Sequence, residues 1–249
     1  MTRVIIHSGF HKTGTTTLQR FLEINDEALA PYVRVVLKPE MEDVLQSARD
    51  FSNFTKQTAS GSLVRRQAFR ISFKRRLTAL LSRLSLTDGR ILLISSEELS
   101  GRLPGRDDIL AYDAAAPLAR EMRNVCKRYF GDDLDITFLC TTRNPEGWLR
   151  SAYSHLLQFS KFTMSEDEFT RNYARAGDLD TIVEQMTLAV QPFRLLTSPL
   201  ESTRNERFGP ASALVNLLEL PADAVDALQP AKSLNKRLGG IEQTKMLEL

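Results

Sequence analysis

Short apolar runs alternate with longer segments of helical periodicity along this chain. The runs cover residues 4–6, 33–37, 91–94, 136–140 and 193–196, and consist mainly of β-branched residues, Leu and Phe. They show little alternation between polar and apolar positions, which is typical of strands covered on both faces. The intervening segments predict helices over residues 15–24, 64–84, 114–129, 145–159 and 179–190.

This alternation predicts an α/β fold, a three-layer sandwich with a mainly parallel central sheet of about five strands. Two polar, turn-rich stretches, residues 50–62 and 197–211, are predicted to be irregular. The chain has no internal repeat and no convincing linker, so we interpret residues 1–249 as one domain.

The composition excludes some classes of function but does not identify one. The 249 residues are 42% hydrophobic and 26% charged, with a net charge of +2, which is ordinary for a globular protein and indicates no bulk nucleic-acid binding. Two cysteines and three histidines lack metal-ligand spacing, so no metal site is expected. No apolar run reaches the roughly 18 residues of a membrane span. We therefore expect a cytoplasmic protein without stable membrane insertion.

The stretch GFHKTGTT, directly after the first apolar run, combines features of a phosphate-binding loop. Gly9 and Gly14 have the glycine spacing of a Walker-type loop, G-x-x-x-x-G-K-[ST], and Thr16 supplies its hydroxyl. Thr15 occupies the usual lysine position, and the lysine is Lys12 instead. A strand–loop–helix turn of this kind directs backbone N–H groups and the positive helix end at one anion.

Two features argue against a nucleoside triphosphate with Mg²⁺. The lysine that contacts the β- and γ-phosphates is displaced, and the nearby run ILLISSEE ends in Ser95 and Ser96 rather than an aspartate. A ligand that needs no metal fits better. The alternatives are a P-loop kinase with a degenerate lysine, a non-catalytic nucleotide-binding module, or a glycine turn before an ordinary helix.

The segment KTGTTTLQ resembles the 5′-phosphosulfate loop of sulfotransferases that use 3′-phosphoadenosine 5′-phosphosulfate (PAPS), and its continuation Leu18–Gln19 is common in bacterial members. This resemblance implies a P-loop NTPase-like fold, PAPS as co-substrate and no metal requirement. A second motif agrees: TFLCTTRNPEGWLRSAYSH has Arg143 and Ser151 at the spacing of the family's 3′-phosphate signature. Asn144 is predicted to cap the following helix, with Pro145 as its first residue.

The resemblance implies a reaction and a set of site residues. Sulfuryl transfer to a hydroxyl or amine needs a cation at the departing phosphate, the role implied for Lys12, and a base for the acceptor's proton. For the base we favour Glu97, with Glu98 and His11 as alternatives, and partial burial would raise the pKa of a glutamate towards that task. The cofactor-binding residues are expected to be Gly9, His11, Lys12, Thr13, Gly14, Thr15, Thr16, Thr17, Arg143, Ser151, Asn235 and Lys236.

Asn235 and Lys236 belong to PAKSLNKRLGG, residues 230–240. Many family members close the nucleotide site with a basic, glycine-containing loop near the C-terminus, and this segment matches that pattern incompletely. It is interpreted either as such a loop or as a polar linker.

The acceptor side is less defined. Residues 63–86 have seven Arg or Lys residues, no acid and an apolar face at helical spacing. This helix is either an ordinary surface helix or an electropositive wall that attracts an anionic acceptor, such as an acidic or sulfated glycan. A role at a membrane surface is the third alternative. Residues 38–62 and 98–112 are predicted to supply the variable acceptor loops.

Overall fold

A computed structural model of the protein describes residues 1–55, 62–84, 86, 89–159 and 162–231. Five strands are present: β1 (Thr2–His7), β2 (Val33–Val36), β3 (Ile91–Ser95), β4 (Leu134–Thr142) and β5 (Arg194–Pro199). They form one sheet in the order β2-β3-β1-β4-β5, and every neighbouring pair is parallel.

Eleven α-helices surround this sheet within the described residues. In chain order they are α1 (Thr15–Ile24), α2 (Asp26–Leu29), α3 (Glu42–Thr55), α4 (Ser62–Leu84), α5 (Ala115–Phe130), α6 (Pro145–Phe159), α7 (Glu166–Gly177), α8 (Leu179–Val190), α9 (Leu200–Thr203), α10 (Ser212–Leu218) and α11 (Ala222–Ala227). Short 3₁₀ helices cover Lys38–Glu40, Glu97–Ser100 and Gly209–Ala211.

Both faces of the sheet are covered, which explains the apolar strands. Neighbouring strand residues point to opposite faces: Val4 and Ile6 belong to the core formed with α3 to α6 and α8, whereas Ile5 packs with α1 and α10. All three side chains are fully buried. The expected three-layer α/β fold with a parallel sheet is confirmed. No helix in the described ranges has the length and apolarity needed to cross a membrane.

Most predicted elements are confirmed, and helices α1, α6 and α8 begin and end at the predicted residues. Two predictions are wrong. Residues 50–55 belong to α3. Val44, Ala48 and Phe51 recur at helical spacing and form the buried face of this helix. Part of 197–211 is also regular, since it includes the end of β5, α9 and a 3₁₀ turn.

The strand order predicts a ligand-binding crevice at the carboxyl end of β1. From β1 the chain runs to β2 at one edge and returns through β3, whereas β4 continues to β5 at the other edge. The connections therefore diverge between β1 and β4, and ligands of open α/β sheets bind at such a point. The segments following β1, β3 and β4 meet there.

Candidate functional site

The loop of residues 8–14 lies between β1 and α1, against the end of β4. Gly9 has no room for a side chain, because a Cβ there would overlap the Thr141 hydroxyl and lie 2.9 Å from His7 Nε2. Gly14 has a φ of +94°, and a Cβ on it would lie 2.9 Å from Pro210 Cγ. Both glycines of the motif are therefore required by close packing and, at Gly14, by the backbone conformation.

Backbone donors at the start of α1 are available to a ligand. The N–H groups of Gly14, Thr15 and Thr16 have no hydrogen-bond acceptor within the described ranges, whereas that of Thr17 bonds to the Gly14 carbonyl. The Thr16 side chain is exposed, and Thr15 is buried. The Thr13 hydroxyl is already used, since it bonds to the Phe10 carbonyl and to Thr141 Oγ1. The remaining donors converge as an anion site requires.

Lys12 occupies the strained turn of the loop. Its φ is +67°, a conformation uncommon outside glycine. Burial, followed by the charges of Arg143 and Arg106, lowers the pKa of the Lys12 ammonium below its ordinary value, although Glu97 acts in the opposite direction. Like charges gathered around a partly buried lysine are unfavourable without a ligand, which favours anion binding here.

The second motif meets the first through Arg143, the residue after β4. Its Nη1 donates to the Lys12 carbonyl at 3.1 Å. Asn144 Oδ1 accepts from the Gly147 N–H at 2.7 Å, so the predicted cap of α6 is confirmed. A Cβ on Gly147 would lie 2.9 Å from Arg143 Nε, so the guanidinium crosses the helix at that residue. Ser151 lies one turn further on the same helix face.

Glu97 and Glu98 open the 3₁₀ helix after β3 and have different surroundings. Glu97 Oε2 accepts from Gln19 Nε2 at 2.8 Å, and Oε1 lies 3.9 Å from Lys38 Nζ. The Glu98 carboxylate pairs directly with both Lys38 and Arg49. Glu98 is therefore neutralised by two cations, whereas Glu97 has one neutral donor and one distant cation.

The pKa of Glu97 is shifted in the direction opposite to the expectation. Burial alone would raise the pKa of its carboxyl. His11, the backbone N–H of Glu97 itself, and the side chains of Lys38 and Gln19 outweigh burial, so the pKa lies below its usual value. The group is therefore ionised at neutral pH and can accept a proton.

His11 is held by two aromatic residues that the sequence analysis did not identify. Its Nδ1 lies 3.2 Å from the Tyr112 hydroxyl, and its carbonyl accepts from Trp148 Nε1 at 2.9 Å. Burial lowers the pKa of His11 to about 4 against the opposing effect of Glu97, so the imidazole is neutral at pH 7. No local pattern distinguishes Tyr112, which reaches His11 from 101 positions away.

His7 lies beneath the loop and is fully buried. Its Nδ1 is 2.7 Å from Ser95 Oγ, and its Nε2 has no hydrogen-bond partner in the described part of the chain. Burial lowers the pKa of His7 to about 4. The neutral imidazole of His7 thus joins the carboxyl end of β1 to that of β3. A metal-dependent site would need carboxylates at this position.

The basic helix α4 uses several of its cations in ion pairs. Arg70 and Lys74 both contact Glu121 of α5, and Arg76 lies 3.7 Å from an Asp43 oxygen. These ion pairs attach α4 to α3 and α5. They favour the interpretation of α4 as an ordinary surface helix. Asn235 and Lys236 lie outside the described residues.

Across the described ranges, no group of His, Cys, Asp and Glu side chains has the arrangement of a metal site. No protein-family model matches the chain, and no curated protein sequence matches it.

Proposed function

We propose that this protein is a sulfotransferase that moves the sulfuryl group from PAPS to a hydroxyl or amine of an acceptor. The observation that carries the proposal is the hydrogen bond from Arg143 to the Lys12 carbonyl. It joins two motifs 131 positions apart, each of which independently resembles a PAPS-binding element. If either motif matched by chance, the two would not be expected to lie side by side at one crevice.

The phosphates of the donor fit two neighbouring sites, here together called the nucleotide half of the crevice. The free N–H groups of Gly14, Thr15 and Thr16 suit the 5′-phosphosulfate at the start of α1. Arg143, lying across Gly147, suits the 3′-phosphate together with Ser151 one turn along α6. Both sites bind anions through the protein's own donors, so neither calls for a metal ion.

The reacting groups then have distinct tasks. The acceptor oxygen or nitrogen forms a bond to sulfur as the bond between sulfur and the bridging 5′-phosphate oxygen breaks. The acceptor's proton passes to the Glu97 carboxylate, and the Lys12 ammonium stabilises the negative charge that develops on the bridging oxygen. Glu98, with Lys38 and Arg49 on its oxygens, is poorly suited to accept that proton.

The kinase alternative has less support. Thr15 occupies the position of the phosphate-binding lysine, and β3 ends in Ser95, whose hydroxyl contacts His7. A P-loop enzyme that holds Mg²⁺ needs a carboxylate at the end of that strand, whereas Glu97 and Glu98 follow here only after Ser95 and Ser96.

Nucleotide binding in the presence of EDTA tests the proposal. Adenosine 3′,5′-bisphosphate, the product nucleotide, is expected to raise the melting temperature without metal, and adenosine 5′-monophosphate is expected to raise it less. Stabilisation by ATP with Mg²⁺ but not by the bisphosphate would reject the sulfotransferase in favour of the kinase. Bisphosphate binding without turnover on a broad acceptor panel would indicate a non-catalytic nucleotide-binding module.

A further inference from the structure

The connection between the 3₁₀ helix Glu97–Ser100 and α5, here called the 101–114 loop, is firmly seated on α6. A Cβ on Gly105, whose φ is +94°, would overlap Leu156 of α6. The Gly105 N–H bonds to the Ile109 carbonyl at 2.8 Å, and the Ile109 N–H bonds to the Arg106 carbonyl at 3.0 Å. Arg106 is therefore held in a tight turn directly above α6.

The Arg106 side chain is directed by one contact. Its Nη2 lies 3.0 Å from Nε2 of His155. Because a guanidinium only donates hydrogen bonds, His155 Nε2 must be the acceptor and its ring must be neutral. Burial, with the positive charges of Lys12 and Arg106, lowers the pKa of His155 to about 4, in agreement with that assignment.

Arg106 retains most of its binding capacity. The guanidinium has five N–H donors, of which this contact uses one. The side chain is exposed and forms no ion pair with any described residue. Its neighbours in the loop are engaged elsewhere, since Arg102 pairs with Asp107.

Arg106 and His155 belong to two elements that both contact His11. The 101–114 loop carries Tyr112, whose hydroxyl lies 3.2 Å from His11 Nδ1, and α6 carries Trp148, whose Nε1 donates to the His11 carbonyl. The charge of Arg106 also lowers the pKa of His11. We assign this neighbourhood of His11 to the proposed acceptor half of the crevice.

We propose that Arg106 and His155 form an anion subsite for the acceptor, so that the natural acceptor carries a carboxylate, sulfate or phosphate group near its reacting hydroxyl or amine. This inference rests on the proposed sulfotransferase function. A fixed arginine beside the reacting groups, without an ion pair to any residue that the structure describes, provides the charge-assisted hydrogen bonds that such a group requires. It assigns recognition of an anionic acceptor to the 101–114 loop, whereas several cations of α4 are already paired.

Inorganic sulfate is a suitable probe, and Trp148 is a suitable reporter. Trp148 is the single tryptophan of the chain, and its indole Nε1 donates to the His11 carbonyl. The protein is first saturated with adenosine 3′,5′-bisphosphate, so that the phosphate loop is occupied. Sulfate is then titrated at constant ionic strength, and Trp148 fluorescence or its indole NMR resonance gives the dissociation constant.

We expect Arg106→Gln and His155→Gln each to weaken sulfate binding about tenfold or more, with Arg106→Lys intermediate. Arg128→Gln is the matched control, because this exposed arginine lies in the last turn of α5, just before β4 begins and therefore near the amino end of that strand. It should leave sulfate affinity unchanged. Circular dichroism checks that every variant is folded.

Two results would overturn the subsite. Sulfate affinity unaltered by Arg106→Gln would remove Arg106 from anion binding. An equal weakening of bisphosphate and sulfate would place Arg106 in the nucleotide site instead. Failure of the wild-type protein to bind the bisphosphate would reject the proposed function. The ratio of wild-type to variant sulfate affinities tests only the subsite.

Discussion

The proposed nucleotide half of the crevice and the proposed acceptor half consist of different kinds of groups. The nucleotide half consists mainly of backbone: free N–H groups at the start of α1, two closely packed glycines and the Lys12 carbonyl that receives Arg143. The acceptor half consists of side chains from separate segments, including Gln19, Glu97 and Tyr112. Backbone geometry follows from a short local motif, whereas convergence of remote side chains depends on the whole fold.

The same contrast separates the two adjacent glutamates. Both follow β3, and the preference for Glu97 in the sequence analysis rests on position, which does not separate their chemical surroundings. Their partners do, because Glu98 neutralises Lys38 and Arg49, whereas Glu97 accepts from Gln19 and lies near His11. The two adjacent residues therefore differ in role: Glu98 is a structural carboxylate, and Glu97 is the candidate base.

The largest expected effect tests that division. Glu97→Gln should lower kcat by about 10²–10⁴-fold, because it removes the proposed proton acceptor while keeping the side-chain shape. Glu98→Gln is the matched control and should change kcat only a few-fold while lowering the melting temperature through its lost ion pairs. Steady-state kinetics at saturating PAPS measures both. Equal losses of kcat in the two variants would show that the structural distinction has no catalytic meaning.

Lys12 should give the next largest effect, at the boundary between the halves. Lys12→Ala is expected to lower kcat by about 10²–10³-fold, because the charge on the departing phosphate loses its cation. Bisphosphate affinity should change much less, since the backbone donors remain. A rise in KM for PAPS with unchanged kcat would instead make Lys12 a simple binding residue.

Arg143 tests the nucleotide half alone. Arg143→Ala should weaken adenosine 3′,5′-bisphosphate by about 10–100-fold through loss of charge-assisted hydrogen bonds, with little effect on adenosine 5′-monophosphate. Arg150→Ala, on the exposed surface of the same helix and paired with Glu146, is the charge-matched control. Calorimetric titration of the wild-type protein and both variants with the two nucleotides gives the six affinities. Parallel weakening of both nucleotides by Arg143→Ala would remove the 3′-phosphate assignment.

The smallest predicted effect concerns the buried support of the nucleotide half. The pKa of His7 is about 4 when folded, against about 6.5 when unfolded. The unfolded state therefore takes up a proton first as pH falls, and stability is lost between pH 6.5 and 4. From pH 7 to pH 5 the loss from this group should be about 2 kcal/mol.

Urea unfolding at both pH values, compared with His7→Asn, measures that contribution. Between pH 7 and pH 5, the free energy of unfolding of the variant should fall by about 2 kcal/mol less than that of the wild-type protein. A pH dependence identical to that of the wild-type protein would show that another group is responsible. His11 and His155, whose pKa values are also about 4, remain in both proteins.

Most of the regular structure could be predicted from local patterns. The strands were visible as apolar runs because both sheet faces are covered, and α6 was bounded by its Asn144 cap and Pro145. Helix α7 had an equally clear signal, a capping box formed by Ser165 and Glu168, which the sequence analysis did not use. Helix α3 was missed because its polar face dominates residues 50–55.

The sequence by itself determined the strand segments, the loop of residues 8–14 and the spacing of Arg143 and Ser151, since each is visible as a pattern of residues close in the chain. Only the tertiary structure decided that Arg143 reaches Lys12, that Glu98 forms two ion pairs while Glu97 accepts from Gln19, and that Tyr112 reaches His11. These contacts join segments far apart in sequence. Their geometry depends on how the strands are ordered and how each loop packs, which no local pattern specifies.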